Sequence, residues 1–236
     1  MSWHAKPSGG YATGSAENND NVDQVWSILN GYGYTEEAAS GVMGNIQAES
    51  GFNPWRWQSD AVSPTHSNGY GLFQYTPASG YLSLSGTSPN LSTSSTTPGA
   101  TPEDGERQVY VYASNELRKW VPSAWRPYWS TTTYATLYNK RNQWLQQFGS
   151  NGRISMQQFA AVTDIEAAAF FHLACFEGPS VPDLATRYNY AQTFYNYIHG
   201  VVPPVPPTPP TPPVTSGLPV WLMWALKNNL DQILTK

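Results

Sequence analysis

The stretch from Thr35 to Pro54 leaves the chain little conformational choice. Thr35 can cap a helix start, and Glu36 and Glu37 fall in the first turn, where negative charge suits the helix dipole. Val42, Ile46 and Glu49 recur at spacings of four and three, which places them on one face beside Ala38 and Ala39. Gly51 can take the left-handed cap conformation, and Pro54 forbids continuation. Glu49 is therefore predicted on the last helical turn, in line with residues that face a core. Desolvation there disfavours the anion and raises the carboxyl pKa, the condition of a general acid working near neutral pH. A Glu in a last turn is also commonly a solvated or capping residue, and this stretch alone leaves both readings open.

Company changes the balance. Downstream lies Gly69-Tyr70-Gly71-Leu72-Phe73-Gln74-Tyr75-Thr76-Pro77, a Gly-framed aromatic strand or turn carrying one amide. A helix-terminal Glu-Ser-Gly-Phe-Asn-Pro followed by Tyr-Gly-Leu-Phe-Gln resembles the lysozyme-like superfamily, with its goose-type lysozymes and lytic transglycosylases. More narrowly, the block from Gly41 to Pro54 resembles the phage tail lysozyme family. The resemblance continues with Gln108, Glu116-Leu117, Thr163-Asp164 through Glu177-Gly178-Pro179, Arg187 and Ala191, and covers roughly residues 22 to 200. Glu177 stands where the family has a recurring Glu before Pro, with Gly178 in place of the usual basic residue.

The resemblance implies a mainly α (α+β) fold, a lysozyme-like helical domain with a small β-hairpin region. It also implies a phage-type cell-wall lytic enzyme, a glycoside hydrolase of the muramidase type with lytic transglycosylase chemistry as a variant. The bond would be the β-1,4 link between N-acetylmuramic acid and N-acetylglucosamine of bacterial peptidoglycan, with Glu49 as general acid. A non-catalytic glycan-binding or tail structural module that has kept the fold is the alternative.

Between the two motifs, Trp55 and Trp57 are candidates to line a sugar cleft. Asp60 is the carboxylate of this interval. It either holds a water or stabilises an oxocarbenium-like transition state opposite Glu49, or it is a surface-turn Asp. Gln74 carries a donor and an acceptor suited to an N-acetyl group or a water, or else satisfies backbone groups in a turn. Tyr70 and Tyr75 flank it as substrate-binding candidates, and Gly71 allows a sugar or another backbone to approach closely.

Composition agrees with a carbohydrate target. The net charge is −4 and charged residues make up 12% of 236, with no basic stripe to neutralise phosphates, which argues against nucleic acid. Ten Trp and 15 Tyr supply both core and flat apolar faces for sugar rings. The lone Cys175 excludes an intramolecular disulfide, and its apolar helix marks it as a core residue in preference to a nucleophile paired with His172 or His199. The four His form no ligand spacing, so neither a metal nor a cofactor is expected.

Residues 1–20 are Gly, Ser and Asn rich and read as a flexible or draped tail. They lack the features of a signal peptide, which points to a phage virion, or to the host cytoplasm before release, as the protein's location. The catalytic domain is expected over 21–200, opening with a helix over 22–30 capped by Asn21 or Asp20. A loop follows over 82–104, where Glu103 and Asp104 start a helix that buries Val109, Tyr112 and Leu117. An aromatic loop containing Trp125, Tyr128 and Trp129 comes next. Thr163 is expected to cap the Ala-rich helix with Glu166, and a last helix runs from Leu184 to Tyr197. Residues 201–217 form a Pro-rich linker, extended as polyproline II. Residues 218–236 form an amphipathic helix that is too short to stand alone, so it is expected to self-associate or dock on a partner, with a membrane surface less favoured.

Overall fold

The structure, a computed structural model, describes residues 2–61, 64–84, 101–116, 134–179 and 181–200. The aromatic loop near Trp125, the Pro-rich linker and the C-terminal helix lie outside the described residues. Among the described residues eight α-helices carry the fold: α1 Ala16–Gly31, α2 Glu36–Ser50, α3 Ala78–Leu84, α4 Asp104–Val111, α5 Ala135–Phe148, α6 Met156–Ala160, α7 Ile165–His172 and α8 Leu184–His199. Extended pairing among the described residues is confined to isolated bridges, Trp57 with Tyr70, Tyr70 with Tyr75 and Ser150 with Arg153. The domain is mainly α, and the hairpin region is two bridges wide.

Helix α2 is the axle. Thr35 caps it, Gly51 closes it in the left-handed conformation, and every residue from Ala38 to Ile46 is buried. Two glycines make that burial feasible. A Cβ on Gly41 would lie 2.5 Å from Ala168 of α7, and one on Gly44 would lie 2.4 Å from the Arg187 carbonyl oxygen of α8. Helix α2 therefore has three buried faces where its spacing suggested one. Asn45, inside this contact, donates to the Gly41 carbonyl at 2.8 Å and the Ala169 carbonyl at 3.1 Å. Its buried amide thus costs little, because its hydrogen bonds are made.

Direction follows from the pairing. The Thr35 amide donates to the Ala160 carbonyl at 2.9 Å, and nearly two turns later Gly41 abuts Ala168, so α2 and α7 run parallel. Glu36 lies 3.0 Å from His199 while Gly44 meets Arg187 and Ala191, so α8 runs antiparallel to α2. Helix α8 buries Arg187, Ala191, Phe194 and Ile198. The small Ala191 on that face is what permits the close approach at Gly44.

Of the two readings of the N-terminal segment, flexible or draped, the structure has the draped one. Residues 16–20 are the first turn of α1, capped by Ser15, so the helix starts well before Val22. Ahead of it, residues 3–11 form a strap. Trp3 is buried, its ring where a Cβ on Gly105 would have to sit. Asn53 donates to the Lys6 carbonyl at 2.9 Å and to the Gly9 carbonyl at 2.7 Å, and the Tyr11 amide donates to the Gly51 carbonyl at 2.8 Å. Gly10 packs directly on Gly51. Polar side chains and backbone groups supply the order here, with Trp3 the one large apolar anchor, and low hydrophobicity hides such an arrangement. Two further boundaries differ. Leu82 belongs to α3, not to a loop, and Asp164 caps α7 in place of Thr163, accepting from the Ala167 amide at 2.8 Å.

Candidate active site

Because α2 and α7 run parallel, they finish together. Each finishes on a glycine in the left-handed region, Gly51 (φ 56°, ψ 39°) and Gly178 (φ 55°, ψ 45°). Each also carries a carboxyl just ahead of its glycine: Glu49 on the last turn of α2, and Glu177 closing a π turn over Leu173–Glu177 that extends α7. Single π turns within helices recur at functional sites, since the extra residue re-aims the side chains that follow it.

Arg187 of α8 reaches both α2 side chains. Its Nη1 donates to Asn45 Oδ1 at 3.0 Å, and its Nη2 donates to Glu49 Oε1. Burial raises the Glu49 pKa above the ordinary carboxylate value, and the neighbouring charge of Glu177 raises it further, against the opposing pull of Arg187. Glu177 is pushed up to about 7 by burial, again against Arg187. The Glu49 side chain keeps 22% of its surface exposed and that of Glu177 12%, so both stay reachable from solvent.

Behind Glu177 stands a chain of buried groups. His172 Nδ1 lies 2.8 Å from the Tyr112 hydroxyl, and its Nε2 lies 3.2 Å from Glu177 Oε1. Burial, with Arg187 adding to it, drops the His172 pKa to about 3 against the pull of Glu49, so the ring is neutral. Burial first, then the neighbouring Tyr34, hold the Tyr112 phenol far above its usual value, so it keeps its proton. A neutral ring has one donor and one acceptor nitrogen, so with Glu177 ionised Nε2–H donates to its carboxylate and Tyr112 donates to Nδ1. The contact is thus a hydrogen bond with a neutral ring, not an ion pair.

The Tyr-Gly-Leu-Phe-Gln segment supports this group from below. Phe73 stacks on Tyr112 with centroids 4.5 Å apart and lies 6.2 Å from the His172 ring. Trp57, Tyr70 and Tyr75 were expected to touch sugar, and the structure corrects this: all three are buried at 1%, 0% and 7% exposure. Their hydroxyls and rings serve a polar knot around Asp104. Tyr81 donates to Asp104 Oδ1 at 2.6 Å, Tyr70 to Oδ2 at 3.1 Å, and Gln108 Nε2 to Oδ2 at 2.9 Å. Gly71 is likewise corrected. The space a Cβ would need, 2.2 Å away, is filled by the Gln108 amide, whose Oε1 accepts from the Leu72 N–H at 2.7 Å.

Asp60 is corrected too. Its Oδ1 accepts from the Gly9 amide at 2.6 Å and from Arg56 Nε at 3.2 Å, while Oδ2 accepts from Arg56 Nη2 at 3.1 Å. Desolvation is small enough that these bonds prevail and hold its carboxyl below the usual range. An anion so held secures the strap, the surface-turn reading, with both oxygens already engaged by Gly9 and Arg56 and so not free to hold a water or face a transition state. Gln74 sits at φ 46° with its Nε2 donating to the Arg56 and Gly71 carbonyls, both at 2.9 Å, which leaves its carbonyl as the available group. Trp55 is half-buried, its indole N–H donating to the Thr101 carbonyl at 3.2 Å, and remains able to present a ring face.

Sequence reasoning passed over Tyr112 and His172 as site residues and gave Glu177 no role. The available signal was His172 five residues before Glu177, a separation that faces inward only on a π turn. Cys175 is buried and its thiol pKa pushed up by burial, so it is not a nucleophile. Among the described residues no group of three or more His, Cys, Asp or Glu gathers as a metal would need, and no helix is long and apolar enough to cross a membrane.

The profile of the phage tail lysozyme family matches residues 20–198 of the chain. Over 62 residues the chain is 42% identical to "Morphogenesis protein 1" of Bacillus phage B103, a stretch that covers 26% of this chain and 17% of that protein.

Proposed function

The chain belongs to the phage tail lysozyme family, and from that premise we propose that it cleaves the β-1,4 bond between N-acetylmuramic acid and N-acetylglucosamine, with Glu49 as general acid. A lysozyme-like, peptidoglycan-related role follows from the family itself. The finer assignment rests on one observation, the shielded carboxyl of Glu49 at the end of the central helix. Its Oε1 accepts from Arg187, and among the described residues its Oε2 has no hydrogen-bond partner. Oε2 is thus the oxygen that carries the proton to the glycosidic oxygen, while Arg187 fixes the carboxyl plane and stabilises the carboxylate left behind.

Trp55 offers a ring face to a sugar, and the Gln74 carbonyl offers an acceptor to an N-acetyl N–H. The name of the relative, Morphogenesis protein 1, supports carriage in the virion as the route to the wall. The grip of Arg187 on Glu49 is the observation that favours the second reading, a glycan-binding tail module without catalysis. Purified sacculi separate the two. The enzyme releases muropeptides and Glu49→Gln abolishes release while keeping sacculus binding, whereas a binding module releases none in either form. Mass spectrometry of the fragments then distinguishes reducing ends from anhydro ends, which differ by one water.

A further inference from the structure

A glycosidic bond broken with the help of one acid still needs a group to take the proton of the attacking oxygen. From the Tyr112–His172–Glu177 chain of hydrogen bonds and the convergence of the two helix ends, we infer that Glu177 is that group, the second catalytic carboxyl. This role rests on the cleavage reading for Glu49.

Three features carry it. First, placement: α2 and α7 are parallel through the Thr35–Ala160 and Gly41–Ala168 contacts, and each ends in a left-handed glycine, two residues after Glu49 and one after Glu177, so both acids emerge on one side of the domain. Secondly, tethering: Glu49 and Glu177 each have one oxygen tied back and one untied. Oε1 of Glu49 is held by Arg187 and Oε1 of Glu177 by His172 Nε2, while among the described residues neither Oε2 has a hydrogen-bond partner. Thirdly, rigidity: His172 is fully buried, clamped through Nδ1 by Tyr112, and packed against Phe73 and Phe176, so the carboxyl it holds is fixed in direction. A surface Glu gains nothing from such backing. A reacting one does, because misplacement by a fraction of an ångström slows proton transfer. The groups facing Glu177 are Arg187, Glu49 and neutral His172. Their combined effect and burial leave it able to take a proton near neutrality.

The step balances. Glu49 Oε2–H protonates the glycosidic oxygen, and the C1–O bond breaks with its electron pair going to that oxygen. The attacking oxygen, of water or of the muramic acid C6 hydroxyl, bonds to C1, and its proton passes to Glu177 Oε2. The cycle closes when that proton moves from Glu177 to the Glu49 carboxylate. Tyr112 and His172 are positioning residues in this scheme, because His172 acts on Glu177 and Tyr112 acts on His172, and neither supplies an atom to the reaction.

The test is azide substitution on sacculi with the full chain. Azide attacks without giving up a proton, so it bypasses a missing base but not a missing acid. Wild type is expected to release fragments without azide adducts. Glu177→Gln is expected to lose about 100-fold or more of its rate, the usual scale for general base loss, and excess sodium azide is expected to restore release with azide on the new end. Glu49→Gln stays silent under azide. A folded Glu177→Gln protein that keeps wild-type release, or one that stays inactive without forming an adduct, overturns the role. If Glu177→Gln does not fold, Glu177→Asp takes its place. Slowed release with azide adducts supports the role, and wild-type speed overturns it. Wild type that releases nothing overturns the cleavage reading, a result distinct from active wild type with an unimpaired Glu177 variant.

Discussion

Asp60 and Glu177 are both acidic side chains held by neighbours near the end of α2, yet their surroundings push them in opposite directions. Asp60 is met by an amide N–H and two guanidinium N–H groups, all donors to an anion, and its pKa falls. Glu177 is met by one neutral imidazole N–H inside a wall of aromatic rings, and its pKa rises to about 7. Burial drives the rise at Glu177, whereas at Asp60 a smaller burial is outweighed by its donors. A carboxylate with three donors has no use for a proton, and one with a single neutral donor can exchange it.

Four experiments break or sharpen this contrast. The largest effect is expected at the acid itself: Glu49→Gln should lower fragment release by about 100- to 10,000-fold, while Asp60→Asn should leave release within a few-fold of wild type, both read by muropeptide quantitation. Equal losses would erase the distinction between helix-end and loop carboxylates.

The second reads stability against pH. Glu177 has its folded pKa raised from 4.5 to about 7, so its contribution is full below pH 4.5 and is lost as pH rises through 7. That amounts to a change on the order of 3 kcal/mol. His172 has its pKa lowered from 6.5 to about 3, so its contribution is full above pH 6.5 and is lost as pH falls toward 3. The two oppose each other between pH 4.5 and 6.5. Denaturant unfolding of Glu177→Gln should therefore show stability rising with pH across that window, more steeply than in wild type.

Third, Gly44→Ala forces a methyl against the Arg187 backbone 2.4 Å away, and should cost about 1–3 kcal/mol in urea unfolding. It should also lower activity, since the same helix–helix contact sets Arg187 beside Glu49. Last, Asp60→Asn should cost about 1 kcal/mol or less, because its pair with Arg56 is partly exposed. The cost should shrink further when the strap is also removed, as a double-mutant cycle would show.

Helix α2 was legible from Thr35 to Gly51 because cap, charge, spacing and stop all act within one element. The mainly helical class followed from the resemblance, and the structure agrees with it. What escaped detection depends on contacts far apart in sequence. Gly41 and Gly44 look like helix breakers until Ala168 and Ala191 are laid against them. Tyr70, Tyr75 and Trp57 look like a sugar platform, since an aromatic residue announces burial and recognition in the same way. Only the partner Asp104, more than 20 residues beyond the segment, directs Tyr70 inward. Glu177 was visible as a residue but silent as a site, because the π turn that turns it toward His172 has no marker in local composition.

The strap bears on where such a domain can be cut. The family match opens at residue 20, and a shortened gene would naturally begin there. Such a protein would start inside α1, leave the socket of Trp3 over Gly105 empty, and strip Asn53 of two acceptors beside the reacting helix. The outer limit of the working unit is therefore drawn by Trp3, seventeen residues upstream of the boundary a profile would choose.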